Sequence, residues 1–192
     1  MDLSYQTMRF GPKKRKISII HLRKPVRKGL CGMVTASFFP QKIALVVEPR
    51  PTDDLDYSFM CLSHVANSES VFIWMEEDAF YGIKRGDVKA RTALFHELGH
   101  YFHHHLKGSV DEMAAYDEAR SASVQAGRVI QQELDADLFA VDYLGRDYVI
   151  DGLKALKARL FDCIQQGVYD EETGNAAVKE LELRIAQLHL QT

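Results

Sequence analysis

The sequence predicts an α+β protein, with a small N-terminal sheet followed by a mainly helical body. Three observations carry this expectation. Segments rich in β-branched and aromatic residues are confined to the first 80 positions. Beyond Gly86 the apolar residues recur at helical spacing. Glycines then punctuate a series of such segments as far as the C-terminus.

Taken in order, KISIIHL (16–22), KIALVV (42–47) and SVFIWME (70–76) read as strands. EPRPTDD (48–54) reads as a loop, because two prolines do not sit in a strand interior. Asp87 suits a helix N-cap, and VKARTALFHELGHYFHHHL (88–106) follows with an apolar face, ending at Gly108. Residues 110–145 read as one long helix or two shorter ones, closed by Gly145. YVIDGLKALKARLFDCIQQG (148–167) is a further helix. A last one, AAVKELELRIAQLHL (176–190), carries the stripe Val178, Leu181, Ile185 and Leu188. A chain of 192 residues, 46% hydrophobic and 27% charged, is read as one domain over 1–192. Its parts are a basic N-terminal arm or strand (1–28), a central helical region (87–145) and C-terminal helices (147–190).

Apolar runs such as IALVV fall far short of the ~20 residues a membrane-spanning helix needs. The opening MDLSYQTMRF lacks the apolar stretch of a signal peptide. Cys31, Cys61 and Cys163 are widely separated and form no CxxC, as expected of reduced thiols. These features predict a cytoplasmic protein with no membrane partner. Charge is uneven. Residues 1–50 hold 11 Lys and Arg against two acids, whereas the remainder holds 13 against 25. The run PKKRK (12–16) could meet nucleic acid or serve as a nuclear import signal, but no aromatic interleaving or recognisable nucleic-acid module accompanies it. A solvated arm docking on the acidic remainder is the favoured reading.

Five of the eight histidines lie in FHELGHYFHHHL (95–106). On a helix at about 100° per residue, His96 and His100 stand about 40° apart and one turn from each other. Two imidazoles so placed can bind one metal ion. Glu97 stands beside them, able to accept a proton from a metal-bound water without itself being a ligand. Leu94, Phe95, Leu98, Phe102 and Leu106 occupy the opposite arc, with His105 at its edge. His103 is a turn too far along to join the pair, and His103 and His104 are assigned to packing or solvent. Gly99 permits another segment to approach closely beside the histidines.

A catalytic zinc needs a third protein ligand and an open position. In QQELDADLFAVDYLG (131–145), Glu133 and Asp137 fall with the apolar face, whereas Asp135 and Asp142 fall opposite. Buried carboxylates require partners. Glu133 as ligand, with Asp137 accepting a hydrogen bond from a ligating imidazole, would supply them. An N–H or arginine partner in the core is the alternative. Glu118, in YDEARSAS (116–123), is the rival third ligand.

HELGHYFHHH together with ELDADLFA resembles the gluzincin group of zinc metallopeptidases, and most nearly its ImmA/IrrE-type family. His104 corresponds to a histidine that follows the motif there. ELDAD is also locally similar to the E-x-x-A-D of HtpX and CAAX-protease peptidases. The resemblance covers residues 87–145 and implies a zincin-like fold with one Zn2+ on His96, His100 and Glu133. It further implies Glu97 as general base, Asp137 orienting a histidine, and a peptide or protein substrate paired along SVFIWME. Tyr143, Arg146 and Tyr148 are candidate oxyanion stabilisers. The competing expectation is a non-catalytic zinc-binding domain, its fourth position filled by His103, a cysteine or a partner's residue, that acts through its basic arm on another molecule or on nucleic acid.

Overall fold

The computed structural model describes residues 5–23, 29–47, 59–64, 71–105 and 110–191. Among these, the strands are β1 (Tyr5–Phe10), β2 (Ile17–Leu22), β3 (Gly29–Ala36), β4 (Ile43–Val47), β5 (Met60–His64) and β6 (Val71–Met75). The helices are α1 (Glu77–Arg85), α2 (Val88–Phe102), α3 (Val110–Gln125), α4 (Gln131–Leu144), α5 (Arg146–Gln165) and α6 (Glu171–Leu190). The protein is thus α+β, with all strands in one mixed sheet of order β1-β2-β3-β4-β6-β5. Among the described strands, only the β4–β6 pair is parallel.

The three strands expected from composition are β2, β4 and β6. Each alternates strictly between buried and half-buried positions, as a sheet with one covered face requires. Ile17, Ile19, Ile43, Leu45, Val71 and Ile73 point into the same core as Phe80, Leu94, Phe95, Leu98 and Leu153 from the helices. The strands β1, β3 and β5 were not expected. β1 is an edge strand with mostly exposed residues. β3 carries two glycines and a register shift between Leu30 and Gly32.

Strand order corrects the expected role of SVFIWME. β6 lies between β4 and β5 and is hydrogen-bonded on both sides, so it offers no edge to a substrate. The edge nearest α2 is β5. The N-terminal segment is also more ordered than a basic arm. Residues 5–10 pair with β2, and PKKRK forms the connecting turn, with a single 3-10 turn at Lys13–Arg15. Arg15 lies over the rings of Phe38 and Phe102 and 3.8 Å from Asp142, while Lys13 and Lys14 are exposed.

Helix α1 intervenes before the histidine helix and ends at Gly86, whose φ of 85° suits a residue without Cβ. Asp87 caps α2 by accepting from the Ala90 N–H at 2.8 Å. The long segment after residue 110 is two helices, parted at Gly127. On α6, Val178 and Leu188 are buried, and Leu181 and Ile185 pack against the core. The expected loop at 48–54 and the expected stop at Gly108 lie outside the described residues.

Candidate metal centre

Helix α2 is buried along most of its length, and Leu94, Phe95 and Leu98, wholly enclosed, fix its rotation. That rotation turns His96 and His100 toward α4. Gly99 lies between them at the helix contact. A Cβ there would come within 2.7 Å of Ala136 Cα and 2.8 Å of its carbonyl oxygen, so glycine alone lets the two backbones touch. The close approach carries Glu133 to the histidines. His96 Nε2 and His100 Nε2 are 3.0 Å apart. Glu133 Oε2 is 3.2 Å from the first, and Oε1 is 3.4 Å from the second. Ligand atoms held at about 2.0–2.1 Å in a tetrahedral arrangement are separated by about 3.4 Å, so this triangle fits one small ion with little movement. All three side chains are buried.

Behind the triangle, Asp137 Oδ1 lies 2.8 Å from His96 Nδ1. This contact leaves Nε2 of His96 free for an ion and fixes the ring's orientation. Arg184 of α6 arrives from the other side, donating through Nε to Asp137 Oδ2 at 2.8 Å and through Nη2 to Oδ1 at 2.6 Å. Its Nη1 lies 3.0 Å from Glu133 Oε2. The carboxylates therefore have both kinds of partner considered from sequence, an imidazole and a core arginine.

Two buried carboxylates and one guanidinium leave the centre one positive charge short. The protein's own response is to protonate His96. Burial and Arg184 push its pKa down, but Glu133 and Asp137 outweigh them and hold it up at about 9. Burial would raise Glu133 and Asp137, yet Arg184 and His96 keep both below the ordinary carboxylate range. A bound cation can take the place of that proton.

Glu97 stands outside the triangle. Its Oε2 accepts from the backbone N–H of Leu62, in β5, at 2.9 Å. The Phe59 carbonyl accepts from Glu76 on the β6 side, so alternation turns the Leu62 N–H away from β6. Glu97 therefore lies where the outer edge of β5 meets the histidine pair.

Tyr116 of α3 was not anticipated. Its hydroxyl donates to Glu133 Oε1, and burial together with Glu133 raises its pKa far above the ordinary phenol value. A tyrosine 17 positions before its partner carries no periodic signal in the sequence. Glu118, the rival ligand, is exposed and outside the cluster. Tyr143 packs against Phe95 and Phe139, and the Tyr148 hydroxyl donates to the Gly86 carbonyl at 3.2 Å. No described contact joins Tyr143, Arg146 or Tyr148 to the triangle.

The helix ends earlier than the periodicity suggested, and His105 moves with it. His104 adopts φ 56°, His104 N–H donates to the Tyr101 carbonyl, and His105 N–H donates to the His100 carbonyl. This is a Schellman turn, which folds the second residue past the helix back over its last turn. His105 therefore does not lie on the apolar arc. Its Nδ1 sits 3.1 Å from His100 Nδ1. Burial, His100 and His103 lower its pKa to about 4, so it is neutral near pH 7. His103, the fourth ligand that the non-catalytic alternative would use, stacks on His105.

No family model, curated protein or solved structure matches the chain. No helix among the described residues is long and apolar enough to cross a membrane. The fold and site together define an α+β protein with a buried His–His–Glu cluster that could hold a metal ion.

Proposed function

We propose that the protein is a zinc-dependent metallopeptidase with a zincin-like fold, resembling the ImmA/IrrE-type gluzincins, that hydrolyses peptide bonds in the cytoplasm. The observation that carries this reading is the position of Glu97. It adjoins the His96–His100–Glu133 triangle, takes no part in it, and reaches the edge of a β-strand. A base beside three ligands, rather than a fourth ligand, is what hydrolysis requires.

Zinc on His96, His100 and Glu133 would supply a Lewis acid and a water whose pKa lies near 7. Glu97 takes the water's proton and passes it to the leaving amine. Asp137 keeps His96 in the ligating tautomer, and Arg184 steadies the anionic side of the centre. Tyr116, a neutral O–H donor that already touches the proposed ligand Glu133, is the candidate to stabilise the developing oxyanion in place of Tyr143, Arg146 and Tyr148. An extended peptide or protein segment pairs along the outer edge of β5, in place of β6.

The test is cleavage of a generic unfolded protein. Activity should disappear when a chelator strips the metal and return with one equivalent of Zn2+. A metal-free preparation that cleaves at the full rate would sink the reading. A second reading, a non-catalytic zinc domain, draws on the same hydrogen bond, because Leu62 already gives Glu97 a structural partner. It predicts zinc with a protein side chain in the fourth position and no cleavage. Its nucleic-acid version rests on exposed Lys13 and Lys14 and predicts salt-sensitive binding lost in Lys13→Glu with Lys14→Glu.

A further inference from the structure

A second group of metal-ligating side chains lies beside the first and is not used by the reaction proposed above. The Schellman turn at the end of α2 brings His103 and His105 into parallel, with ring centroids 5.3 Å apart and planes 15° apart. Asp135 of α4 faces them, its Oδ2 lying 3.6 Å from His105 Nε2 while its Oδ1 accepts from Gln131. One donor atom from each of His103, His105 and Asp135 lies within 4.8 Å of the others. Two imidazoles and a carboxylate suit a borderline divalent ion such as Zn2+, Co2+ or Ni2+ better than Mg2+ or Ca2+. His103 is exposed and the other two are half-buried, so an ion can reach them from solvent and they can close on it.

We propose that His103, His105 and Asp135 form a second, weaker divalent-cation site that acts against the first through His105. The antagonism follows from where protons must sit, and it rests on His100 being a ligand of the first site. His100 ligating through Nε2 carries its proton on Nδ1 and donates it to Nδ1 of His105, 3.1 Å away. His105 then carries its own proton on Nε2, facing Asp135. A cation on His105 Nε2 displaces that proton, and neutral His105 must then be protonated on Nδ1. Two N–H groups would face each other across the His100–His105 contact. The contact breaks, and His100 loses the acceptor that orients it. The second ion thus forfeits one hydrogen bond, which corresponds to a roughly two- to tenfold loss of affinity between the sites. The penalty is reciprocal, so excess metal weakens the centre that a single equivalent completes.

Titration of metal-free protein with Co2+, followed by calorimetry and visible absorption, tests this. Wild type should take up a tight equivalent and then a second at least about tenfold weaker, and filling the second should alter the d–d spectrum of the first. His103→Ala and Asp135→Asn should each keep the tight equivalent with its spectrum and lose the weak one. Uptake of one equivalent only by wild type, or two by both variants, would overturn the second site. An unchanged spectrum on filling it would overturn the coupling. Failure of the first-site reading shows separately, as a tight equivalent that survives His96→Ala.

Discussion

The backbone N–H of Leu62 donates to Oε2 of Glu97 at 2.9 Å, tying an edge strand to the histidine helix across 35 positions of sequence. Glu97→Gln keeps an amide oxygen for that N–H but loses the capacity to accept a proton as a carboxylate. Zinc content and thermal stability should stay near wild type, while hydrolysis falls by the ~10²–10⁴-fold associated with loss of a general base. Metal content and cleavage measured on one preparation decide it, and a zinc-loaded variant with wild-type rate refutes the role. Glu97→Ala should in addition lose about 1 kcal/mol of stability with the strand tie.

Metal affinity should rank by distance from the triangle. His96→Ala, His100→Ala and Glu133→Ala should abolish tight binding. Asp137→Ala, which removes the acceptor 2.8 Å from His96 Nδ1, should weaken it by about 10- to 100-fold. Glu118→Ala, at an exposed position, should leave it unchanged. Equilibrium competition with a chromophoric chelator gives the ranking, and a loss confined to Glu118→Ala would relocate the site.

Proton bookkeeping offers a separate check. The folded-state pKa of His96 is raised from 6.5 to about 9, and its Nε2 can ligate only when deprotonated. Metal binding between pH 7 and 8 should therefore release about one proton, read as the dependence of calorimetric heat on buffer ionisation enthalpy. For the metal-free protein the sign is that of a raised pKa. The stabilising contribution is complete below pH 6.5 and is lost as pH rises toward about 9. Metal-free stability that climbs across that interval would contradict the assignment.

His104 holds a left-handed conformation, φ 56°, that L-residues adopt at a cost of about 1–2 kcal/mol. His104→Gly should relieve most of this, stabilising the protein by about 1 kcal/mol and raising Tm by about 2–4 °C. An unchanged or lowered Tm would mean that the exposed imidazole contributes something the turn does not reveal.

Gly99→Ala should do the reverse. The added methyl meets Ala136 backbone atoms at 2.7 and 2.8 Å, so α4 must move away from α2. A loss of about 1–3 kcal/mol is expected from overpacking. Because Glu133 travels with α4, metal affinity should fall as well. Stability lost without metal affinity would show that the triangle tolerates the shift.

The parts of the molecule that sequence reasoning reached are those whose cause is local. His96 and His100 are joined by one helical turn, Glu133 and Asp137 by another, and β2, β4 and β6 by their own side-chain alternation. The parts it missed depend on distant partners. β5 is short and owes its place to β6 and α2, and β3 contains glycines that weaken any strand signal. Tyr116 and Arg184 reach the centre from helices whose registry no spacing rule relates to it. His105 was misplaced because the periodicity of 88–106 hides the left-handed residue at 104, which ends the helix and reverses the side chain's direction.

Arg184 enters the centre from α6, 88 positions after His96. During synthesis the motif helix emerges long before the guanidinium that partners both carboxylates. A nascent chain that has reached α4 can bring its imidazoles and acids together, but Glu133 and Asp137 then carry their charge without Arg184, and the ion held there is held differently. Chain completion is thus written into the chemistry of the centre: a protein cut short before position 184 retains every residue of the HELGH motif, yet it should fail the quality test that firm metal retention sets.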